Sequence, residues 1–134
     1  MAVDEYRAVA RTSGFGLGLH HVQLAIPAGG EQAARSYYVD VLGLTEVQKP
    51  RVLAARGGLW VRADRLEIHL GVENEFRPAR KAHPGILVDD IDSFAARVAQ
   101  RGQEPQWDDN FPGMRRFYLH DCFENRLEFL SPAT

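Results

Sequence analysis

Two parts of this chain, about sixty residues apart, repeat each other, and this repeat restricts the folds that the chain can adopt. The stretch His21–Ile26 opens the first half, and the similar stretch His83–Val88 opens the second. The segment Arg65–Ile68 closes the first half with Arg-Leu-Glu-Ile, and Arg126–Phe129 closes the second with Arg-Leu-Glu-Phe. A period of this length exceeds that of most solenoid repeats. It predicts two duplicated supersecondary modules, each with a histidine near its start and a glutamate near its end.

Hydrophobic periodicity predicts the same order of elements, β-α-β-β-β, in both halves. Apolar residues at helical spacing predict a helix over Glu31–Leu42 that ends at Gly43, and a second over Ile91–Arg101 that is capped by Asp90. A single module would leave one face of its sheet uncovered, so two modules must pair, within the chain or between chains. Strands are predicted near 20–26, 45–48, 59–62 and 66–72 in the first half, and near 84–88, 105–108, 114–120 and 126–130 in the second.

The predicted fold class is therefore α+β, with two βαβββ modules that form a cupped mixed sheet. Residues 1–18 are expected to form an N-terminal arm with a short helix near 5–9. Residues 19–134 are expected to form one domain, built from modules 19–73 and 82–132. A chain of 134 residues is long enough to bury a core in a single domain of this kind.

Composition argues against several classes of partner. The formal net charge is −2 and no long run of Lys or Arg occurs, so we expect no nucleic-acid partner. No apolar stretch approaches the ~20 residues that span a bilayer, and the first 18 residues lack the apolar core of a signal peptide. The single cysteine, Cys122, suits a reducing compartment. A cytoplasmic protein without a membrane partner is the expectation.

Strand alternation directs three metal-ligating side chains to the polar side of the predicted sheet. His21 alternates with apolar residues in the first strand, and His83 holds the same place in the second half. The residues on either side of Glu128 are apolar and are expected to pack against the helix, which directs Glu128 to the opposite face. Two imidazoles and a carboxylate on one open face are a ligand set for Fe²⁺, Mn²⁺, Zn²⁺ or Ni²⁺. The sequence therefore predicts one divalent metal ion.

The motifs of both halves resemble those of the vicinal oxygen chelate superfamily, which includes glyoxalase I, fosfomycin- and bleomycin-resistance proteins, methylmalonyl-CoA epimerase and extradiol dioxygenases. The resemblance is carried in order by residues 21–26, 37–44, 83–90 and 117–128, and it covers about residues 19–132. It implies a glyoxalase-like fold, with His21, His83 and Glu128 where the family places its metal ligands. One position departs from the family pattern, because Glu124 stands in the last turn where glycine is usual.

A fourth ligand, when the family has one, comes from the last strand of the first half, and two residues compete for that place here. Glu67 and His69 are two residues apart in the predicted strand 66–72, so both project from the same face. The internal repeat aligns Glu67 with Glu128. The residues around His69 are more similar to the end of the family's strand, which favours His69 slightly and keeps Glu67 as the alternative.

Strand parity also predicts the residues that would surround a bound substrate. Arg62 and Arg116 suit an anionic small molecule such as a carboxylate or phosphonate. No catalytic residue is singled out. The predicted substrate-binding residues are Gln23, Trp60, Arg62, Arg116 and Tyr118.

The predicted ligands favour a metal-dependent enzyme that chelates a small-molecule substrate, either a lyase or isomerase of the glyoxalase kind or an Fe²⁺ dioxygenase. One alternative is a metal-free protein that binds a drug or metabolite, as bleomycin-resistance proteins do, although these typically lack the ligands. A metal-bearing, non-catalytic sensor is a third hypothesis. The resemblance further implies a homodimer. The substrate is not predicted, because family members share the ligands and differ in the lining of the cup.

Overall fold

The structure, a computed structural model, describes residues 11–133. The helix predicted near 5–9 lies outside this range, and residues 11–18 contain neither helix nor strand. The first module consists of β1 (Val22–Ile26), α1 (Glu31–Arg35) continued by a π-helix (Ser36–Val41), β2 (Thr45–Val47), α2 (Arg51–Ala54), β3 (Leu59–Ala63) and β4 (Leu66–Val72). The second consists of β5 (Gly85–Leu87), α3 (Ile91–Gln100), β6 (Gln106–Asp108), β7 (Met114–His120) and β8 (Arg126–Pro132).

Each module forms its own four-stranded mixed sheet. The strand orders are β1-β4-β3-β2 and β5-β8-β7-β6. In both sheets the first strand of the module runs parallel to its last strand, whereas β2–β3, β3–β4 and β6–β7 pair antiparallel. The predicted α+β class with two βαβββ modules is confirmed.

The chain divides by its contacts into two compact units. One unit consists of His20–His83 together with His120–Arg126, and the other contains Pro84–Leu119 and the chain from Leu127 onward. The turn between β7 and β8 is thus grouped with the first module rather than with its own sheet.

Three details of the secondary structure differ from the predictions. Strand β1 begins at Val22, so His20 and His21 precede the strand and strict alternation does not govern them. The helix predicted over Glu31–Leu42 widens to a π-helix at Ser36, and the amide of Leu42 bonds the carbonyl of Tyr37 five residues back. Helix α2 was not predicted, because four residues are too few to show helical periodicity. The predicted helix ends hold, since Gly43 has a φ of 88° and Asp90 accepts a hydrogen bond from the Ser93 amide.

Apolar side chains fix which face of β8 is buried against its helix. Phe129 packs on Phe94 of α3 with ring centres 5.0 Å apart, and Phe117 of β7 lies 5.4 Å from Phe129. Leu127 is fully buried. The residues on both sides of Glu128 therefore face the core, as the alternation predicted.

The turn Asp121–Asn125 is held by one buried carboxylate. Asp121 accepts hydrogen bonds from the Tyr38 hydroxyl at 2.6 Å, from the amides of Phe123 and Asn125 at 2.8 Å, and from the Asn125 side chain at 2.9 Å. The Asn125 side chain also donates to the carbonyl of Ala25 in β1. These bonds tie the turn to the helix and the first strand of the first module.

Glu124 retains the backbone conformation that glycine usually provides in this turn. Its φ is 71°, in the left-handed region that costs a residue with a Cβ roughly 1–2 kcal/mol. We expect Glu124→Gly to raise the free energy of unfolding by about 0.5–1 kcal/mol, because the relief of strain outweighs the added chain entropy of the unfolded state. Urea denaturation measures this change. The control Glu104→Gly, at an exposed position without positive φ, should lower stability instead.

Candidate functional site

The strand register identifies the first-module counterpart of Glu128. In the first sheet Gln23, two residues after His21, lies opposite His69. In the second sheet Gly85, two residues after His83, lies opposite Glu128. Position by position, His69 of β4 therefore corresponds to Glu128 of β8. The sequence repeat, which aligned Glu67 with Glu128, gave the wrong structural equivalence.

Different turns explain why the sequence repeat and the strand register disagree. Ala63 pairs with Leu66, so only two residues connect β3 to β4, and the repeated Arg-Leu-Glu begins inside that turn at Arg65. Five residues connect β7 to β8, and the second Arg-Leu-Glu begins at the first residue of β8, Arg126. The Arg-Leu-Glu motif consequently lies at different register positions along β4 and β8.

Three aromatic rings stack on the polar face of the first sheet. The buried ring of His69 lies between the rings of Trp60 and His21, with centres 3.8 Å apart on both sides and interplanar angles of 2° and 16°. The edge of His20 meets His21, with the two Nδ1 atoms 2.9 Å apart. Loss of solvation, followed by the neighbouring His69 and His20, lowers the pKa of His21. His21 is therefore neutral at neutral pH, which is the form that binds metals.

An ionised carboxylate lies beside this stack. Glu67 Oε2 is 2.7 Å from Nε2 of His69, and Oε1 accepts a hydrogen bond of 2.9 Å from Nε of Arg62. The hydrogen bond from His69, with a further contribution from Arg62, lowers the pKa of Glu67. Arg62 itself is more than half exposed.

Gln23 lies over a glycine on the same face of the first sheet. A Cβ placed on Gly71 would collide with the side-chain amide of Gln23. An alanine at position 71 would therefore displace the flexible amide end of Gln23 from β4. Of the predicted substrate residues, Gln23, Trp60 and Arg62 all belong to this face of the first module.

His83 follows the linker between the modules and precedes β5. Its Nδ1 lies 2.7 Å from the carbonyl oxygen of Lys81. Because a carbonyl only accepts, Nδ1 carries the proton in this bond when the ring is neutral, and Nε2 is the unprotonated nitrogen.

The second sheet presents a separate cluster around Arg116. Its guanidinium bonds Glu128 Oε2 at 3.1 Å through Nη1 and Asp108 Oδ1 at 3.0 Å through Nη2. It also lies 5.2 Å from the ring centre of Tyr118 and 5.5 Å from that of Phe111. Glu128 and Tyr118 are both buried. The predicted residues Arg116, Tyr118 and Glu128 therefore lie together in this module.

The sequence prediction missed Asp108 as a member of this cluster. Asp108 of β6 pairs with Arg116 of β7 in the antiparallel register, which puts both side chains on one face. Alternation within the predicted strands 105–108 and 114–120 contained this signal, but the register of the hairpin was not known from sequence. An open cleft of about 310 Å³ adjoins the cluster, within the size range of small-molecule sites. It is lined by Trp107, Asp108, Asp109, Met114, Arg115 and Arg116.

The donor atoms suit a divalent ion in their chemistry, but their present arrangement does not yet form a metal centre. Within residues 11–133, no three His, Cys, Asp or Glu side chains are grouped as metal ligands would be. Imidazole binds metals in the ring plane at about 2.0–2.1 Å, whereas the rings of His21 and His69 are stacked nearly parallel. One ion could not lie in both ring planes. Ligation of one ion by both histidines would therefore require the ring of the exposed residue His21 to rotate off His69.

The thiol of Cys122 is expected to be unreactive, although Cys122 is an exposed residue. Its Sγ lies 3.5 Å from the carbonyl oxygen of Ala33. Desolvation of the thiol, reinforced by the charge of Asp121, raises its pKa to about 11. We expect alkylation by iodoacetamide at about pH 8 to be more than tenfold slower than for an ordinary cysteine, whose pKa is about 8.5, because the thiolate is the reactive form. The same protein unfolded in urea serves as the control, and equal rates in both states would contradict this.

Comparison with known proteins identifies the family. No protein-family model matches the chain, and no curated protein matches it. Among solved structures, a glyoxalase family protein from Bacillus anthracis is 40% identical, with a TM-score of 0.86, over 92% of this chain and 100% of that chain. The chain belongs to the glyoxalase family and has the vicinal oxygen chelate fold.

Two more distant structures share the fold alone. TnmS3, an antibiotic binding protein from Streptomyces sp. CB03234, is 22% identical, with a TM-score of 0.66, over 87% of this chain and 99% of that chain. A glyoxalase/dioxygenase from Nostoc punctiforme is 19% identical, with a TM-score of 0.71, over 93% of this chain and 97% of that chain. In the part of the chain that the structure describes, no helix is long and apolar enough to cross a membrane.

Proposed function

We propose that this protein is a metal-dependent enzyme that chelates a small anionic substrate to one divalent ion, Fe, Mn, Zn or Ni. Its ligands are His21, His83 and Glu128, with His69 as the fourth. The observation that carries this proposal is the strand register. Each module supplies a histidine just before its first strand and a second donor directly opposite the residue two positions further on. Metal-binding side chains at equivalent positions are expected of a site that arose by duplication of one module. Packing of an apolar core alone would not require polar donors at these equivalent positions.

The hydrogen bonds of two histidines support the proposal. Histidines that bind metals almost always donate their other N–H to a carboxylate or a carbonyl, which orients the ring. His83 bonds the carbonyl of Lys81 through Nδ1, and His69 bonds Glu67 through Nε2. Each ring is thus oriented by a hydrogen bond at one of its two nitrogens.

The remaining polar residues would bind and orient the substrate. A divalent ion supplies polarisation of a carbonyl oxygen or stabilisation of an enolate. Arg116, and the exposed Arg62, would attract a carboxylate or phosphonate, since guanidinium forms paired hydrogen bonds with such groups. Trp60 would provide an apolar wall, while Gln23 and Tyr118 would offer hydrogen bonds.

A metal-free binding protein is the second candidate function, and the ring stack favours it. Trp60, His69 and His21 show spacings suited to flat aromatic rings, and His21 is the exposed outer member. A planar aromatic ligand could replace His21 on the face of His69. The nearby Arg62 would favour an aromatic anion.

Metal analysis separates the two candidates. We expect protein purified without added metal, then titrated with Ni²⁺, Zn²⁺, Mn²⁺ or Fe²⁺ under argon, to bind one ion per site with a change in Trp60 fluorescence as His21 leaves the stack. Trp60→Phe, which retains only Trp107, identifies the source of the signal. Absence of stoichiometric binding, together with quenching by an aromatic anion such as 2-naphthoate, would favour the binding protein instead.

The assembly is part of the same proposal. We propose a homodimer, in which the modules that share an ion come from one chain or from two. Sedimentation of the metal-loaded protein measures the mass, and a monomer with full metal occupancy would place all ligands in one chain.

A further inference from the structure

Glu67 and His69 form a hydrogen-bonded pair on one face of β4. Their Oε2 and Nε2 atoms are 2.7 Å apart, and His69 is only 5% exposed. An ionised carboxylate has no proton to give, so the hydrogen in this bond belongs to Nε2 of the imidazole. The neutral ring must then have its lone pair on Nδ1.

Two neighbours hold this pair in place. Arg62 donates from Nε to the other carboxylate oxygen of Glu67 at 2.9 Å. Trp60 lies parallel to the His69 ring at 3.8 Å and restricts tilting of its plane. Both oxygens of Glu67 are therefore engaged in hydrogen bonds, one with His69 and the other with Arg62.

We propose that Glu67 is a positioning residue, which fixes His69 in the tautomer protonated at Nε2 and leaves Nδ1 as the metal-binding nitrogen. Glu67 thereby acts on the ion through His69 and is not itself the fourth ligand. The effect of Glu67 on metal affinity rests on the proposed function. Its effect on the tautomer of His69 in the metal-free protein does not depend on that function. Carboxylates that orient a ligating histidine in this way typically contribute about 10- to 100-fold to metal affinity.

The tautomer is read directly by long-range ¹H–¹⁵N NMR of labelled, metal-free protein at about pH 8, where an ordinary histidine is neutral. His69→Ala assigns the signal. The wild type should show His69 protonated at Nε2, and Glu67→Ala, which removes the carboxylate acceptor, should shift it towards a mixture of tautomers. An Nδ1-protonated His69 in the wild type, or an unchanged tautomer in Glu67→Ala, overturns the proposal.

Zinc titration tests the second half of the proposal. Glu67→Ala should keep the stoichiometry and lose about 10- to 100-fold in affinity, whereas Glu73→Ala, which removes an exposed carboxylate just after the same strand, should change it less than about twofold. Equal affinities for Glu67→Ala and wild type overturn the positioning role. Failure of the wild type to bind any of Zn²⁺, Ni²⁺, Mn²⁺ and Fe²⁺ overturns the proposed function, and the tautomer measurement then still decides whether Glu67 sets the state of His69.

Discussion

Replacing Asp121 with alanine is expected to lower the free energy of unfolding by about 3–5 kcal/mol. The buried carboxylate accepts four hydrogen bonds, and its removal leaves the hydroxyl of Tyr38 and the side chain of Asn125 without that partner. Tyr38 is fully buried, so its hydroxyl would lose a charged acceptor where bulk water does not reach it. Burial and the adjacent charge of Asp121 also raise the pKa of Tyr38 well above its usual value, so the hydroxyl remains a donor at neutral pH. Urea denaturation followed by circular dichroism measures the loss.

Two variants calibrate this result. Tyr38→Phe removes one of the four bonds and should cost about 1 kcal/mol. Asp109→Ala, an exposed aspartate of the second module, should change stability by less than about 0.5 kcal/mol. A loss below about 1 kcal/mol in Asp121→Ala would mean that the turn is held by other contacts.

Glu128→Gln is expected to weaken metal binding by at least about 100-fold. The substitution preserves the size of the side chain and an oxygen acceptor for Arg116, but it removes the only proposed ligand that carries a negative charge. Outer residues that merely orient ligands already contribute about 10- to 100-fold, so the loss of a direct carboxylate ligand should be at least as large. Isothermal titration with Zn²⁺ or Ni²⁺ measures the difference.

Asp108→Asn is the matched control, because Asp108 and Glu128 bind the same guanidinium. The asparagine variant changes the charge around Arg116 equally without touching a proposed ligand, so metal affinity should change less than about threefold. Similar losses in both variants would show that the charge near Arg116, rather than ligation by Glu128, governs binding.

Local patterns predicted the fold because they were duplicated. Each of these patterns depends on residues that are close in sequence. They are the strand and helix periods, the glycine after Leu42 and the helix cap at Asp90, and the structure contains the elements that they predicted. The π-helix at Ser36–Val41 and the four-residue helix α2 escaped prediction. The spacing of apolar residues does not distinguish a π-helix from an α-helix. A helix of a single turn is too short to show a repeating apolar pattern.

The sequence predicted which residues belong to the candidate site, but it did not predict which of their side chains contact one another. Parity found Trp60, Arg62, His69 and Glu67 on one face, yet their stacking and hydrogen bonds depend on the register between strands. That register follows from the length of the turns. The two-residue turn after Ala63 and the five-residue connection after His120 shift the repeated Arg-Leu-Glu between the sheets, which the sequence offset alone could not reveal.

Anomalous diffraction from crystals of the Zn²⁺- or Ni²⁺-loaded protein, collected at the absorption edge of the metal, tests the central claim most directly. We predict one strong anomalous peak per site, within ligand distance of His21, His69, His83 and Glu128, with Glu67 bonded to His69 rather than to the ion. The same map shows whether these donors come from one chain or two. Full occupancy at a position that involves neither Glu128 nor His83, or no peak from protein soaked in excess metal, would contradict the account.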